Sequence, residues 1–174
     1  IDQGSFTEKS SYLPNSPYSA SKASADMLVR SFYKTYGLNV TTSISSNNYG
    51  LNQHQEKFIP KILSSIKNNT PIHIYGDGLN TRNWLYVIDH CKAISAIFQN
   101  GKIGEKFNIG SNLEISNLEL VNKIYKFFDK TVKINFISDR FGHDFRYSLD
   151  SSKIKSDLNW KCESTLEDFL QLLG

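Results

Sequence analysis

Tyr18 and Lys22 stand four residues apart in the run Ser16-Pro17-Tyr18-Ser19-Ala20-Ser21-Lys22, a spacing that could build a base. Four residues is about one helical turn, so both side chains lie on one helix face. A phenol is a poor base at neutral pH because its ordinary pKa is near ~10. A neighbouring ammonium favours the phenolate. Bringing a phenol to work near neutrality takes about 4 kcal/mol of such help. A pair of this kind can take a proton from an alcohol. The bare spacing is common on surface helices, and its setting makes it more specific. Ser16 is a good N-cap and Pro17 suits the first helical position, which fixes Tyr18 in the first turn. Ser19, Ala20, Ser21, Ala23, Ser24 and Ala25 are small enough for another backbone or a flat ligand to approach.

Downstream segments carry groups that suit a diphosphate and a heterocycle. Asn47 and Asn48 can donate hydrogen bonds without adding charge, although such a pair also favours a turn. Lys57 precedes Phe58-Ile59-Pro60 at an expected helix start, a natural place for a phosphate contact or for a solvated cation. Arg82 supplies the planar fork that grips phosphates, although a lone arginine at a strand start is usually solvated. The run from Asp139 to Tyr147 puts two arginines, a histidine and a tyrosine close together. It would suit a diphosphate and a base, or form a charged loop facing solvent.

The elements that must position these groups alternate. Met27, Leu28, Phe32 and Tyr36 recur at helical spacing, predicting a helix over 17–36 that Gly37 ends. A β-branched run at 40–46 reads as a strand, and Asn47-Asn48-Tyr49-Gly50 as a turn-rich loop at its C-terminal end, the edge where open α/β sheets bind ligands. Helices are expected at 58–69, 89–99, 118–129, 151–158 and 166–173. Strands are expected at 72–75, 83–87, 106–109 and 132–137, with a turn at Gly76-Asp77-Gly78. Strands alternating with helices indicate an α/β class.

The bulk properties narrow the partners. A length of 174 residues with 39% hydrophobic and 21% charged residues suits a folded domain with a real core. A net charge of +3 without a dense basic stripe suits a small anionic molecule and not nucleic acid. Cys91 and Cys162 have no metal-ligand spacing, and a pair so far apart does not suggest a disulfide framework. With no signal peptide and no apolar run long enough for a bilayer, the expected location is the cytoplasm, without a membrane or a metal.

Taken together, these segments resemble the extended short-chain dehydrogenase/reductases that act on sugar nucleotides, in particular the dTDP-glucose 4,6-dehydratases. The carriers are the Tyr18–Lys22 helix, Ser46-Asn47-Asn48-Tyr49-Gly50, Glu56-Lys57-Phe58-Ile59-Pro60, Pro71-Ile72-His73-Ile74-Tyr75-Gly76, Arg82-Asn83-Trp84-Leu85-Tyr86-Val87, Phe107-Asn108-Ile109-Gly110 and the run from Asp139 to Tyr147. They follow the family's order from Glu8 to about Trp160. The chain departs from the family pattern at Asn83 (usually aspartate), Ile88 (usually glutamate) and Phe141 (usually proline). Asn83 and Ile88 put local hydrogen bonding in question, and Phe141 bears on the stiffness and packing of its loop.

The resemblance implies that Tyr18 is the alcohol base and that Lys22 supports it and holds the nicotinamide ribose of NAD. Asn48 would lie against that cofactor. Asn47, Arg82 and Asn108 would contact the substrate, with Asn47 and Arg82 on its diphosphate. Lys57 and Phe58 would meet the substrate, and His73, Ile74 and Tyr75 would line the nucleoside base. Asp139, Arg140, Phe141, Gly142 and His143 would complete the nucleotide site. The implied reaction removes water from dTDP-glucose and returns a hydride stored on NAD, giving a 4-keto-6-deoxy sugar of the rhamnose-type pathways.

The implied fold is α/β, the C-terminal part of a Rossmann-type doubly wound fold plus a small α/β substrate-binding domain. Residues 1–50 would end the NAD-binding part. Residues 51–174 would form mainly the sugar-nucleotide-binding domain, with some segments returning to the first sheet. The chain opens with Ile1 and shows no glycine-rich dinucleotide loop, so it is expected to be about half of a longer protein. Nothing around Asp2 or Glu8 matches the family's acid–base pair, and the piece alone is expected to be inactive. The 17–36 helix is expected to join a helix bundle between subunits of a full-length homodimer. The alternatives are an NAD-dependent sugar-nucleotide epimerase or decarboxylase, and a non-catalytic nucleotide-sugar-binding module.

Overall fold

Helix α1 (Pro17–Tyr36) starts and stops on its caps. In this computed structural model, which describes residues 3–173, the Ser16 hydroxyl accepts from the Ser19 N–H at 3.1 Å. Gly37 closes the helix at φ 67°, a left-handed conformation that costs glycine little. Beyond it run β1 (Thr42–Ser45), β2 (Asn47–Tyr49), α2 (Phe58–Asn68), β3 (Ile72–Tyr75), β4 (Thr81–Tyr86), α3 (Val87–Asn100) and β5 (Lys106–Ile109). Then follow β6 (Glu114–Ser116), α4 (Asn117–Phe127), β7 (Ile134–Ile137), β8 (Arg146–Tyr147), α5 (Ser152–Leu158) and α6 (Leu166–Gln171). The fold is α/β, with most strand pairs parallel.

Two expectations are corrected. The segment 47–50 is not a turn: Asn47–Tyr49 is a strand, paired in parallel with Trp84–Tyr86. The turn preference of two asparagines is outweighed by that ladder and by Tyr49, which is buried against Tyr86 and Phe169. The charged run 139–147 also contains a strand, since Arg146 and Tyr147 pair with Thr81 and Arg82.

Strand β4 is the hub. It pairs with β2 and β8 in parallel and with β6 in the antiparallel sense. Successive strand residues face opposite sides, so Trp84 enters one core and Leu85 another. The first core gathers Ile59, Ile62, Ile74, Leu120 and Ile124 from α2, β3 and α4. The second gathers Ala93, Ile97, Phe107, Ile109 and Ile154 from α3, β5 and α5. Each fully buried aliphatic side chain of this size contributes roughly 1.5–3 kcal/mol.

Strand β5 pairs with β1 on one edge. On its other edge the Asn108 N–H donates to Glu8 Oε1 at 2.9 Å, so that edge is covered. The free edge of β1 pairs with no strand among the described residues.

A buried carboxylate fastens the C-terminal segment. Asp89, in the first turn of α3, accepts from the backbone N–H groups of Ser164 (2.7 Å) and Glu163 (3.0 Å) and from the Cys162 thiol (3.4 Å). Burial pushes this carboxyl up, but the hydrogen bonds pull it down further, and it ends below its ordinary value. Burial and then Asp89 push the Cys162 thiol up to about 12. Among the described residues no helix is long and apolar enough to cross a membrane, and no three potential metal ligands cluster.

Candidate active site

The first turn of α1 holds Tyr18 with 74% of its surface exposed, and Lys22 one turn later is exposed too. The cap that sets this turn is touched by the distant loop 139–143. At Gly142 (φ +67°) a Cβ would come within 2.8 Å of the Asn15 carbonyl oxygen, immediately before the Ser16 cap. Glycine thus serves twice here, allowing the left-handed turn and the close approach.

The same loop folds onto the end of β3. The Arg140 guanidinium lies over the Tyr75 ring, 5.0 Å from its centroid. Asp139 packs against Gly76, where a Cβ would come 3.2 Å from the carboxylate. Within the loop, Arg140 Nη2 is 2.8 Å from His143 Nε2, and His143 Nδ1 is 2.7 Å from Asp139 Oδ1. Phe141 projects fully into solvent.

Arg82 secures the far end of the loop. Its Nη2 donates to the Asp144 carbonyl at 2.6 Å, and its Nη1 to the carbonyls of Thr81 (2.7 Å) and Phe145 (3.3 Å). Burial lowers its guanidinium's pKa, Asp144 opposes that, and Arg140 adds to it as a like charge. Asn80 helps, donating to the Asp144 carbonyl at 3.3 Å. Asn80 and Asn15 were not singled out from sequence. Asn80 donates to a carbonyl 64 residues on, and Asn15 is met only at its own backbone carbonyl by Gly142, so neither leaves a local pattern.

Strand β2 brings the asparagine pair beside β4: Asn47 is exposed opposite Trp84, and Asn48 lies opposite Leu85. The amide of Asn48 donates to Ser45 Oγ at 3.2 Å, and Asn47 and Asn48 thus sit at the C-terminal end of β1. The buried atoms Asn48 Oδ1 and Ser46 Oγ have no hydrogen-bond partner among the described residues. Buried polar atoms are rarely left so. Lys57 caps α2 and contacts Glu56 at 3.1 Å, while Phe58 stacks on Trp84 with ring centroids 6.3 Å apart.

Alternation along β3 separates the three residues expected at the nucleoside. His73 and Tyr75 face out, and the Ile74 side chain sits in the first core, leaving only its backbone for a ligand. Asn108 is buried, and its Nδ2 donates to the Phe6 carbonyl at 2.8 Å. Its side chain therefore holds the N-terminal segment. Glu8 serves the same joint, and Asp2 lies outside the described residues.

The site thus gathers an exposed tyrosine and lysine on a helix turn, Arg140 over the Tyr75 ring, Arg82 on the carbonyls of the same loop, and two buried polar atoms without a partner among the described residues. Its charge is cationic at the Arg140 end, next to a flat ring, and its phenol stands open at the other. A family model described as GDP-mannose 4,6 dehydratase matches residues 1–173. A dTDP-glucose 4,6-dehydratase of Xanthomonas campestris is 43% identical over 181 residues, covering 98% of this chain and 52% of that protein. The crystal structure of DesIV, a dTDP-glucose 4,6-dehydratase of Streptomyces venezuelae with NAD bound, superposes with a TM-score of 0.94 at 40% identity, covering 98% of this chain and 53% of that one. A UDP-glucuronic acid 4-epimerase of Bacillus cereus, also with NAD, matches at a TM-score of 0.93 and 26% identity, covering 98% and 55%. The chain spans about half the length of the curated relatives it matches.

Proposed function

This chain belongs to the GDP-mannose 4,6-dehydratase family, and from that premise we propose that it is the tyrosine-bearing, sugar-nucleotide-binding half of a dTDP-glucose 4,6-dehydratase. The observation that carries this reading is the seating of loop 139–145 on three separate elements. It touches Tyr75 through Arg140, the Arg82 guanidinium through the Asp144 and Phe145 carbonyls, and the α1 cap through Gly142. One ligand laid along these groups would have a base at Tyr75, a diphosphate between Arg82 and Arg140, and a hexose toward Tyr18.

The residues then divide the work. Arg82 and Arg140 neutralise the diphosphate, and exposed N–H groups of the Asn47 amide extend that hold. Tyr18 takes the proton of the C4 hydroxyl, and Lys22 sets a positive charge beside the phenolate that results. Asn48 Oδ1 and Ser46 Oγ, buried without a partner among the described residues, lie on the strand end where NAD would be held, and Lys22 would meet its ribose. NAD, when bound there, supplies hydride storage for an internal oxidation and reduction. Residues 1–50, joined by β5 pairing with β1, would complete the cofactor part, and residues 51–174 would otherwise form the substrate part. Glu8 is engaged with the Asn108 N–H, and it is given no part in the loss of water. A homodimer through α1 and a cytoplasmic location belong to the same reading. The exposed Met27, Leu28 and Phe32 support the first, and the free Cys91 and Cys162 the second.

Calorimetric titration with dTDP tests the proposal. The chain is expected to bind dTDP, and Arg82→Lys to weaken binding at least tenfold, about 1.4 kcal/mol, because a point charge replaces a fork. Equal affinity in wild type and variant, or no binding to either, refutes the nucleotide reading.

A further inference from the structure

We propose that Asp139 is a positioning residue: it fixes the proton of His143 on Nδ1, and through that ring it holds the Arg140 guanidinium over Tyr75. The carboxylate then shapes the diphosphate site without touching the ligand. The tautomer part stands on geometry alone, and the ligand part rests on the nucleotide reading above.

A guanidinium only donates hydrogen bonds. With Arg140 Nη2 at 2.8 Å, His143 Nε2 has to accept, so it carries no proton. The ring proton is therefore on Nδ1, which lies 2.7 Å from Asp139 Oδ1. An ionised carboxylate only accepts, so the three groups form a one-way relay from Arg140 through His143 to Asp139. The same Asp139 oxygen accepts the Arg140 backbone N–H at 2.8 Å, which fixes the carboxylate. Those two hydrogen bonds, His143 first, hold the Asp139 carboxyl below its ordinary value, so it stays an acceptor.

His143 is the buried member of the three. The His143 side chain is 7% exposed and Asp139's is 42% exposed, while Arg140 is exposed over Tyr75. Because the guanidinium is held by a neutral imidazole, its charge remains available to an anion. Without Asp139 the ring is free to carry its proton on Nε2. Donor would then face donor, and Arg140 would leave the ring face.

Two-bond proton–nitrogen correlation spectra at pH 8, on the protein without ligand, read the tautomer directly. His143→Gln assigns the signal among the four histidines. Wild type is expected to show the Nδ1–H form, Asp139→Ala to shift toward Nε2–H, and Asp139→Asn to restore Nδ1–H, because the amide oxygen can still accept. Affinity for dTDP is expected to fall at least fivefold in Asp139→Ala and less than twofold in Asp139→Asn. An Nε2–H form in wild type, or an unchanged tautomer in folded Asp139→Ala, overturns the proposal. If Asp139→Ala does not fold, the wild-type and Asp139→Asn spectra decide. A tautomer shift without any dTDP binding supports the relay and refutes the nucleotide reading.

Discussion

Asn83 spends both ends of its amide on one residue of backbone. Its Nδ2 donates to the Ser111 carbonyl at 2.6 Å, and its Oδ1 accepts the Ser111 N–H at 2.8 Å. The side chain is buried, so neither bond has water as a substitute. The resemblance sets aspartate at this position, and the structure shows what the amide does. Asn83→Asp keeps the acceptor, loses the donor and adds a charge. The expected result is a loss of about 1–3 kcal/mol in urea unfolding at pH 7, partly recovered in acid as the new carboxyl takes a proton. Motif matching located Arg82, but its three carbonyl partners were not legible, because a backbone oxygen has no residue type. The inward turn of Ile74 corrects its expected place at the nucleoside base, since strand alternation buries every second residue.

At the scale of elements, capping signals were the most readable. Ser16, Pro17 and Gly37 fix α1 through bonds made within a few residues. Strands β6 and β8, three and two residues long, carry no period to read and exist because β4 offers an edge. The Asp89 clasp is equally hidden, since its partners lie more than seventy residues on. Its carboxyl is depressed below the ordinary ~3.9, so its ionisation favours the folded chain. That contribution is complete above the ordinary value and is lost as pH falls through the folded value. Asp89→Asn should cost about 1–3 kcal/mol at pH 7. The gap to wild type in urea midpoint should close below pH ~4. A gap constant with pH would contradict this account.

The whole molecule is two cores meeting at β4, with a long helix laid outside them. Only Ala23 of the α1 residues is buried, so Met27, Leu28 and Phe32 present an apolar stripe. The isolated chain is expected to bind a hydrophobic dye there, and Phe32→Glu with Met27→Glu to reduce the fluorescence at least twofold. Unchanged fluorescence would place the dye elsewhere. This exposure was not legible in the sequence, because helical periodicity marks an apolar face without saying what covers it. Strand β1 raises a related matter. One side of it is zipped to β5, while the other, unpaired among the described residues, leaves amide and carbonyl groups to any extended peptide that comes near. A rim of this sort acts as a mould for further chains. Whichever segment docks along it first therefore decides between a finished sheet and stacking of one molecule upon the next. Concentration and refolding speed would then govern the yield of dispersed protein as much as the strength of either core.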